Sequence, residues 1–289
     1  MRFVATLLLW LITTAALVVA VPTTWAQHNV VGEAGYVAFA QQAATERPVQ
    51  DAMASELTEQ LVTLAANSGY DVSSDLLGGA AAAYTRSSAF PGQFASVNRI
   101  VHRWMFTDAV QQPDASGRWE LDLSPMLADS SFQQTLQNFG IQVASTLEVP
   151  LTEHVSDSVR PGRLRQLATW GPWVSIGASV VTALFGLLTV ATARRRGKAI
   201  AALGVSALLV GAAGWAAIEV LRGRMNDALN ATSGGIRQVA DAMVGHAIGS
   251  LHQWLNLTLA AGAALLVLGV LAAMLGGLGR RRVIEPLPK

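Results

Sequence analysis

WVSIGASVVTALFGLLTVATARRRGKAIAALGVSALLVGAAGWAAI, residues 173–218, decides the fold. It holds two apolar runs, Trp173–Thr192 and Ala199–Ile218, and neither carries an ionisable side chain. Each run is about 20 residues, the length at which an α-helix crosses a hydrocarbon core about 30 Å thick. Lipid offers no hydrogen bonds, so every backbone polar group must be satisfied within its own segment and both runs are predicted to be helices. The linker, Ala193-Arg194-Arg195-Arg196-Gly197-Lys198, has four positive charges and no negative one. Residues 170–218 therefore read as a transmembrane hairpin with a basic cytoplasmic turn at 193–198.

Two further runs of the same kind, Phe3–Pro22 and Leu255–Leu278, lie outward of this hairpin. Arg2 precedes the first, and Arg280, Arg281 and Arg282 follow the last. Basic residues collect on the cytoplasmic side. With Arg194, Arg195, Arg196 and Lys198 they set an orientation in which residues 27–169 and 219–254 are extracytoplasmic and the 280–289 tail is cytoplasmic. The tryptophans agree: Trp25, Trp170, Trp173, Trp215 and Trp254 all fall at the outer ends of runs, as an interfacial belt does. Trp10 is the exception, inside the first run. Residues 1–26 are read as a membrane anchor. The alternative is a removed signal peptide cut near Thr24-Trp25-Ala26, but its apolar stretch is longer than the usual 7–15 residues. The last span is placed at 255–279. The expectation is a multi-pass protein of the plasma membrane.

Of the 289 residues, 52% are hydrophobic and 13% charged, against about 25% charged in soluble chains. That balance argues against a soluble enzyme or a disordered tail. With no cysteine, disulfides, thiolate nucleophiles and Cys-ligated metals are excluded.

Residues 27–169 hold fifteen acidic and eight basic side chains, a net charge of −7, which repels nucleic acid. Their pattern predicts a mostly helical domain with a small β-ribbon. Residues 33–45 read as a helix. Met53, Leu57, Leu61 and Leu64 recur on one helical face between Val49 and Ala66. Ser73 caps a helix running to Thr85. Another begins near Pro91 and carries Phe94, Val97, Ile100, Val101 and Met105 on one side. Arg118–Leu123 alternates like a strand, Ser124-Pro125 opens a helix to about Asn138, and Thr146–Pro150 reads as a second strand. In the 219–254 segment, Gly234-Gly235 marks a turn. After it Ile236, Val239, Met243, Val244, Ile248 and Leu251 form an apolar stripe that must be buried against the domain, the bilayer or a protein partner.

No nucleophile elbow, phosphate loop, dinucleotide fingerprint or zincin motif is present. The five histidines, His28, His102, His154, His246 and His252, show no metal-ligand spacing. Glu120 and Asp122 share a strand face and read as solvated, and His102 reads as a surface or hydrogen-bonded residue. Catalytic, metal and cofactor sites are each expected to be absent. The spans carry small residues at packing intervals: Ser175, Ser179 and Ala183, then Ala207 and Gly211, then Gly262 and Gly269.

The whole layout resembles a family of actinobacterial integral membrane proteins. The matching stretches are Glu46–Ala52, Asn98–Arg103, Trp119–Leu127 and the hairpin with Arg194–Arg196. The resemblance implies four spans, an outer helical domain and no catalytic residue to transfer. The leading expectation is an envelope protein acting as a binding or scaffold subunit through its outer domain. Its partners would be membrane lipids and a membrane or envelope protein, with self-association left open. The alternatives are an accessory subunit for lipid or envelope-precursor transport, and a membrane-bound hydrolase using Glu120, Asp122 or His102.

Overall fold

The apolar runs become helices that outlast them. In the computed structural model, which describes residues 2–67, 73–107, 120–122, 134, 148–150, 162, 164–229 and 235–281, α1 covers Arg2–Ala26 and continues as a π-helical turn, Gln27–Val31. Then come α2 (Glu33–Ala43), α3 (Arg47–Asn67), α4 (Ser74–Thr85) and α5 (Phe90–Phe106). Next are two short strands, β1 (Glu120–Asp122) and β2 (Glu148–Pro150), and the long helices α6 (Arg165–Thr192), α7 (Arg196–Leu229) and α8 (Gly235–Arg281). The described chain is mainly α. Four of its helical stretches, Phe3–Val31, Arg165–Thr192, Arg196–Arg224 and Gly235–Leu275, are long and apolar enough to cross a membrane. The strands pair antiparallel with Leu121 opposite Val149. The expected helix to Asn138, together with Trp119, Leu123, Thr146, Leu147, His154, Arg160, Arg163, Gly234 and Arg282, lies outside the described residues.

Two boundaries differ from the hydropathy reading. The 236–251 stripe and the last span are one helix of 47 residues. Hydropathy drops between Leu251 and Leu255, but His252-Gln253-Trp254 contains nothing that breaks a helix, and propagation is cheap once a helix is nucleated. The basic turn is also shorter than expected. Only Ala193–Arg195 connect the helices, because α7 starts at Arg196, and the Arg195 carbonyl accepts from the Lys198 and Ala199 amides at 3.0 and 3.3 Å.

The chain divides into two compact units. The first comprises residues 1–27, 170–221 and 248–289. Here α1 runs parallel to α7: Trp10 Nε1 donates to the Ala202 carbonyl (3.0 Å), and the Thr14 and Ser206 hydroxyls share a 2.8 Å hydrogen bond. It runs antiparallel to α6, with Thr6 near Thr192 (3.5 Å) and Thr24 near Ser179 (3.4 Å). The closest packing is between α7 and α8, which are antiparallel. A methyl group on Gly204 would meet the Leu266 amide and the Gly262 carbonyl at 2.5 and 2.7 Å. One on Gly262 would lie 2.9 Å from the Leu208 amide. Gly197 and Gly269 stand in the same relation to each other's helices, while Gly211 and Gly214 are filled by Leu259 and Leu255. Gly197, Gly204 and Gly211 on α7, and Gly262 and Gly269 on α8, repeat every seven residues. A 3.5-residue period keeps such a row facing its partner. Small residues admit this backbone approach, and packing rather than hydrophobicity drives helix association in lipid.

The second unit comprises residues 28–169 and 222–247. Its core contains Ala40, Ala43, Ala44, Val49, Leu57, Leu61, Leu77, Ala80, Ala81, Tyr84, Phe90 and Phe94. α2 packs on α5 and α3 on α4. Ser73 caps α4, its hydroxyl accepting from the Leu76 amide at 3.3 Å, and Pro91 sits in the first turn of α5. Tyr84 meets Phe90 edge to face at 5.7 Å. Of the expected stripe on α3, Leu57 and Leu61 are buried and Met53 packs beside them. The stripe on α5 is displaced by a position. Phe94, His102 and Phe106 are buried, with Asn98 between them, while Ile100 is 37% exposed.

Gly204→Leu is expected to push α7 off α8 and lower the thermal midpoint of the detergent-solubilised chain, costing roughly 1–3 kcal/mol as overpacking does. Gly249→Ala, where a methyl group meets nothing within 4 Å, is the control and should leave the midpoint unchanged. Equal midpoints for both variants would show that the glycine row does not hold the helices together.

Candidate functional site

His102 is 3% exposed, and the reason is local. The π-turn Gln27–Val31 ends with carbonyls that have no next turn to bond. The Nε2–H of His102 lies 3.1 Å from both the Val30 and the Val31 carbonyl oxygens. Its ring stacks on Phe106 with centroids 4.4 Å apart and contacts Tyr36 at 5.1 Å. The Tyr36 hydroxyl donates to Asn98 Oδ1 (3.0 Å), and burial pushes the Tyr36 phenol above its ordinary value. A methyl group on Gly35 would collide with the His28 carbonyl, so α2 can follow the π-turn this closely only with glycine there. The next residue of α5, Arg103, grips Glu33 in the first turn of α2 with two hydrogen bonds of 3.0 and 2.8 Å. Its hydrogen bonding, with added attraction from Arg103, His102 and Arg99, holds the Glu33 carboxyl below its ordinary value of 4.5. His102 thus fastens α5 to the start of the unit through its hydrogen-bonding nitrogen.

His246 on α8 has a comparable place. Its Nδ1 lies 2.8 Å from Glu46 Oε1, and its ring packs on Phe39 at 4.5 Å. The predicted stripe on this helix divides. Val239 and Met243 pack against the core of the second unit, whereas Ile248 and Leu251 pack in the first unit against Val21, Val210, Ile218 and Leu255. Ile236 and Val244 are half-buried. Among the described residues no group of three or more His, Cys, Asp or Glu side chains could hold a metal ion.

In the first unit the tryptophans fall into two sets. Trp170, Trp173 and Trp254 are exposed and make no side-chain hydrogen bond among the described residues, and Trp215 is as exposed as Trp254 but partnered. Trp25 donates to Ser250 Oγ (3.1 Å), and Trp215 stacks on His252 at 3.8 Å and donates to Asn256 Oδ1 (3.3 Å).

At the opposite helix ends lies a cavity of about 850 Å³. The N-terminal half of α1 supplies Phe3, Thr6, Leu7 and Trp10, α6 supplies Thr189 and Thr192, and the turn and the start of α7 supply Arg194, Arg195, Lys198, Ala199 and Ala202. One wall is hydrocarbon and the rim is cationic. Among the described residues no carboxylate pairs with Arg194, Arg195 or Lys198. Arg196, in the same basic cluster, does not line it, and Arg280 and Arg281 end α8. Sequence reasoning took these cations for orientation alone. The signal it passed over was Trp10: an indole within a span needs a partner for its N–H, and the Ala202 carbonyl it finds braces α1 beside the turn.

No protein-family model, curated protein or solved structure matches this chain.

A carboxyl held below its ordinary value adds stability above that value and loses it as pH falls through the lowered one. Glu33→Gln should therefore melt at a lower temperature than the native chain at pH 7, and the gap should close as pH falls below about 4.5. A gap that does not narrow at all as pH falls from 7 would remove the ion pair as its source. His102→Ala, which strips two carbonyls of their donor and opens a void, should cost about 2–4 kcal/mol. Hydrogen exchange at residues 28–36 and 90–106 would report it.

Proposed function

We propose that the chain is a non-catalytic binding or scaffold subunit of the cell envelope. Four helices anchor it in the plasma membrane and its second unit, with the short ribbon, works outside. The observation that carries this reading is the contrast between the two units. The first exposes Leu8, Trp173, Ile176, Leu187, Val267 and Leu275, a surface suited to acyl chains. The second folds around its own aromatic and alanine core, and its exposed large apolar side chains among the described residues are only Val62, Leu76, Ile100 and Leu167. Two of its histidines, His102 and His246, make structural contacts. Sidedness follows from charge: the Arg194–Lys198 cluster at one set of helix ends favours the cytoplasm, so the segments leaving the other ends emerge outside. A unit that packs its own core and repels polyanions offers its surface to a protein or a wall precursor.

The absence of cysteine makes sidedness simple to measure. Gln41→Cys should react with a membrane-impermeant maleimide in intact cells, and Ala193→Cys only after permeabilisation. The reverse pattern would invert the topology and sink the extracytoplasmic reading. Tagged full-length protein, extracted in mild detergent and cross-linked, should carry a stoichiometric envelope partner through residues 28–169. A lone chain with no partner or ligand would overturn the scaffold role.

A further inference from the structure

We propose that the cavity at the basic end of the membrane unit is a binding site for an anionic glycerophospholipid. The phosphate is held by Arg194, Arg195 and Lys198, and an acyl chain lies along Leu7, Trp10 and Ala202. Three observations converge on this ligand. The first is uncompensated charge. These cations have no carboxylate partner among the described residues; the C-terminus of α6, two residues before Arg194, favours them, but they also flank the N-terminus of α7, where the helix dipole favours an anion. A phosphate would pair the cations and sit at the α7 N-terminus. The second is size. A cavity of about 850 Å³ falls within the range of pockets that enclose a drug-sized molecule, far more than a bare phosphate fills. The third is the lining. The lining that leads from the cations into the spans is Leu7, Trp10, Ala199 and Ala202, and Phe3 and Leu7 are 79% and 42% exposed, so the apolar wall continues onto the outer surface of the helices. The indole N–H of Trp10 is spent on the Ala202 carbonyl, which leaves its ring as apolar wall. Cations at one end and hydrocarbon at the other match a molecule with a phosphate head and an acyl tail.

The test uses the full-length chain in mild detergent, offered phosphatidylglycerol, phosphatidylcholine or inorganic phosphate, with native mass spectrometry as the readout. Phosphatidylglycerol should be retained at one per chain in preference to phosphatidylcholine, and inorganic phosphate at the same concentration should not displace it. Near a membrane surface each basic side chain strengthens anionic-lipid binding severalfold, so Arg194→Gln/Arg195→Gln/Lys198→Gln together should weaken retention roughly 100-fold. Arg194→Lys/Arg195→Lys keeps every topological charge but loses the forked guanidinium contact. It should weaken retention while the protein elutes and orients like the native chain, which keeps the proposal testable if the triple variant misfolds. Equal retention of both lipids would overturn the proposal. So would displacement by inorganic phosphate, which would make this a free-phosphate site, and so would undiminished binding by the lysine variant.

Discussion

The membrane unit depends on how closely two backbones approach. Gly204 and Gly262 face each other so tightly that neither has room for a methyl group. In water such a contact would add little to a hydrophobic core. In lipid it carries the association, because side chains gain nothing by leaving one apolar phase for another. The other helices join this pair through few polar links, Thr14 to Ser206 and Trp10 to Ala202 on one side and Thr6 to Thr192 on the other. Hydroxyls elsewhere turn inward: Thr13, Thr182, Thr189 and Thr192 bond carbonyls one turn back on their own helices. That frees the apolar surface for lipid.

The second unit is built on different terms. Its core is apolar, yet its entry is fixed by polar groups, since the π-turn leaves carbonyls that only a donor from another helix can satisfy. Asn98 and His102 supply that polarity from α5, each with a partner. Burial of a polar side chain is tolerable when its hydrogen bonds are made; His102 satisfies Nε2 while its Nδ1 is buried without a partner among the described residues, and the polar pair sits within an aromatic cluster formed by Tyr36 and Phe106.

The four spans were readable because charge is absent from them, a signal that needs no partner. The glycine row was half readable: Gly211, Gly262 and Gly269 were read as packing residues, but Gly204 was passed over within an apolar run and Gly197 was hidden in what looked like a turn. Helix ends were misjudged because hydropathy reports where lipid stops, not where the helix stops. The stripe on α5 was misjudged for a chemical reason. Its inner face runs Phe94, Asn98, His102, Phe106, and two polar members hid it; of the predicted line Phe94 and Val97 do pack in the core, while Ile100 is exposed. The basic cavity was beyond sequence reasoning, since it exists only where the ends of three helices meet.

A row of glycines repeating every seven residues has an ambiguity built into it. Sliding α8 by seven residues, about 10.5 Å at 1.5 Å per residue, again sets glycine opposite glycine, with little change in how well the backbones nest. The row therefore holds the helices together without saying which glycine meets which. That choice falls to contacts that occur once, above all the Trp215 indole stacked on His252 and bonded to Asn256. These side chains act as an index mark: they contribute little to adhesion, but they choose one alignment from a ladder of near-equivalents.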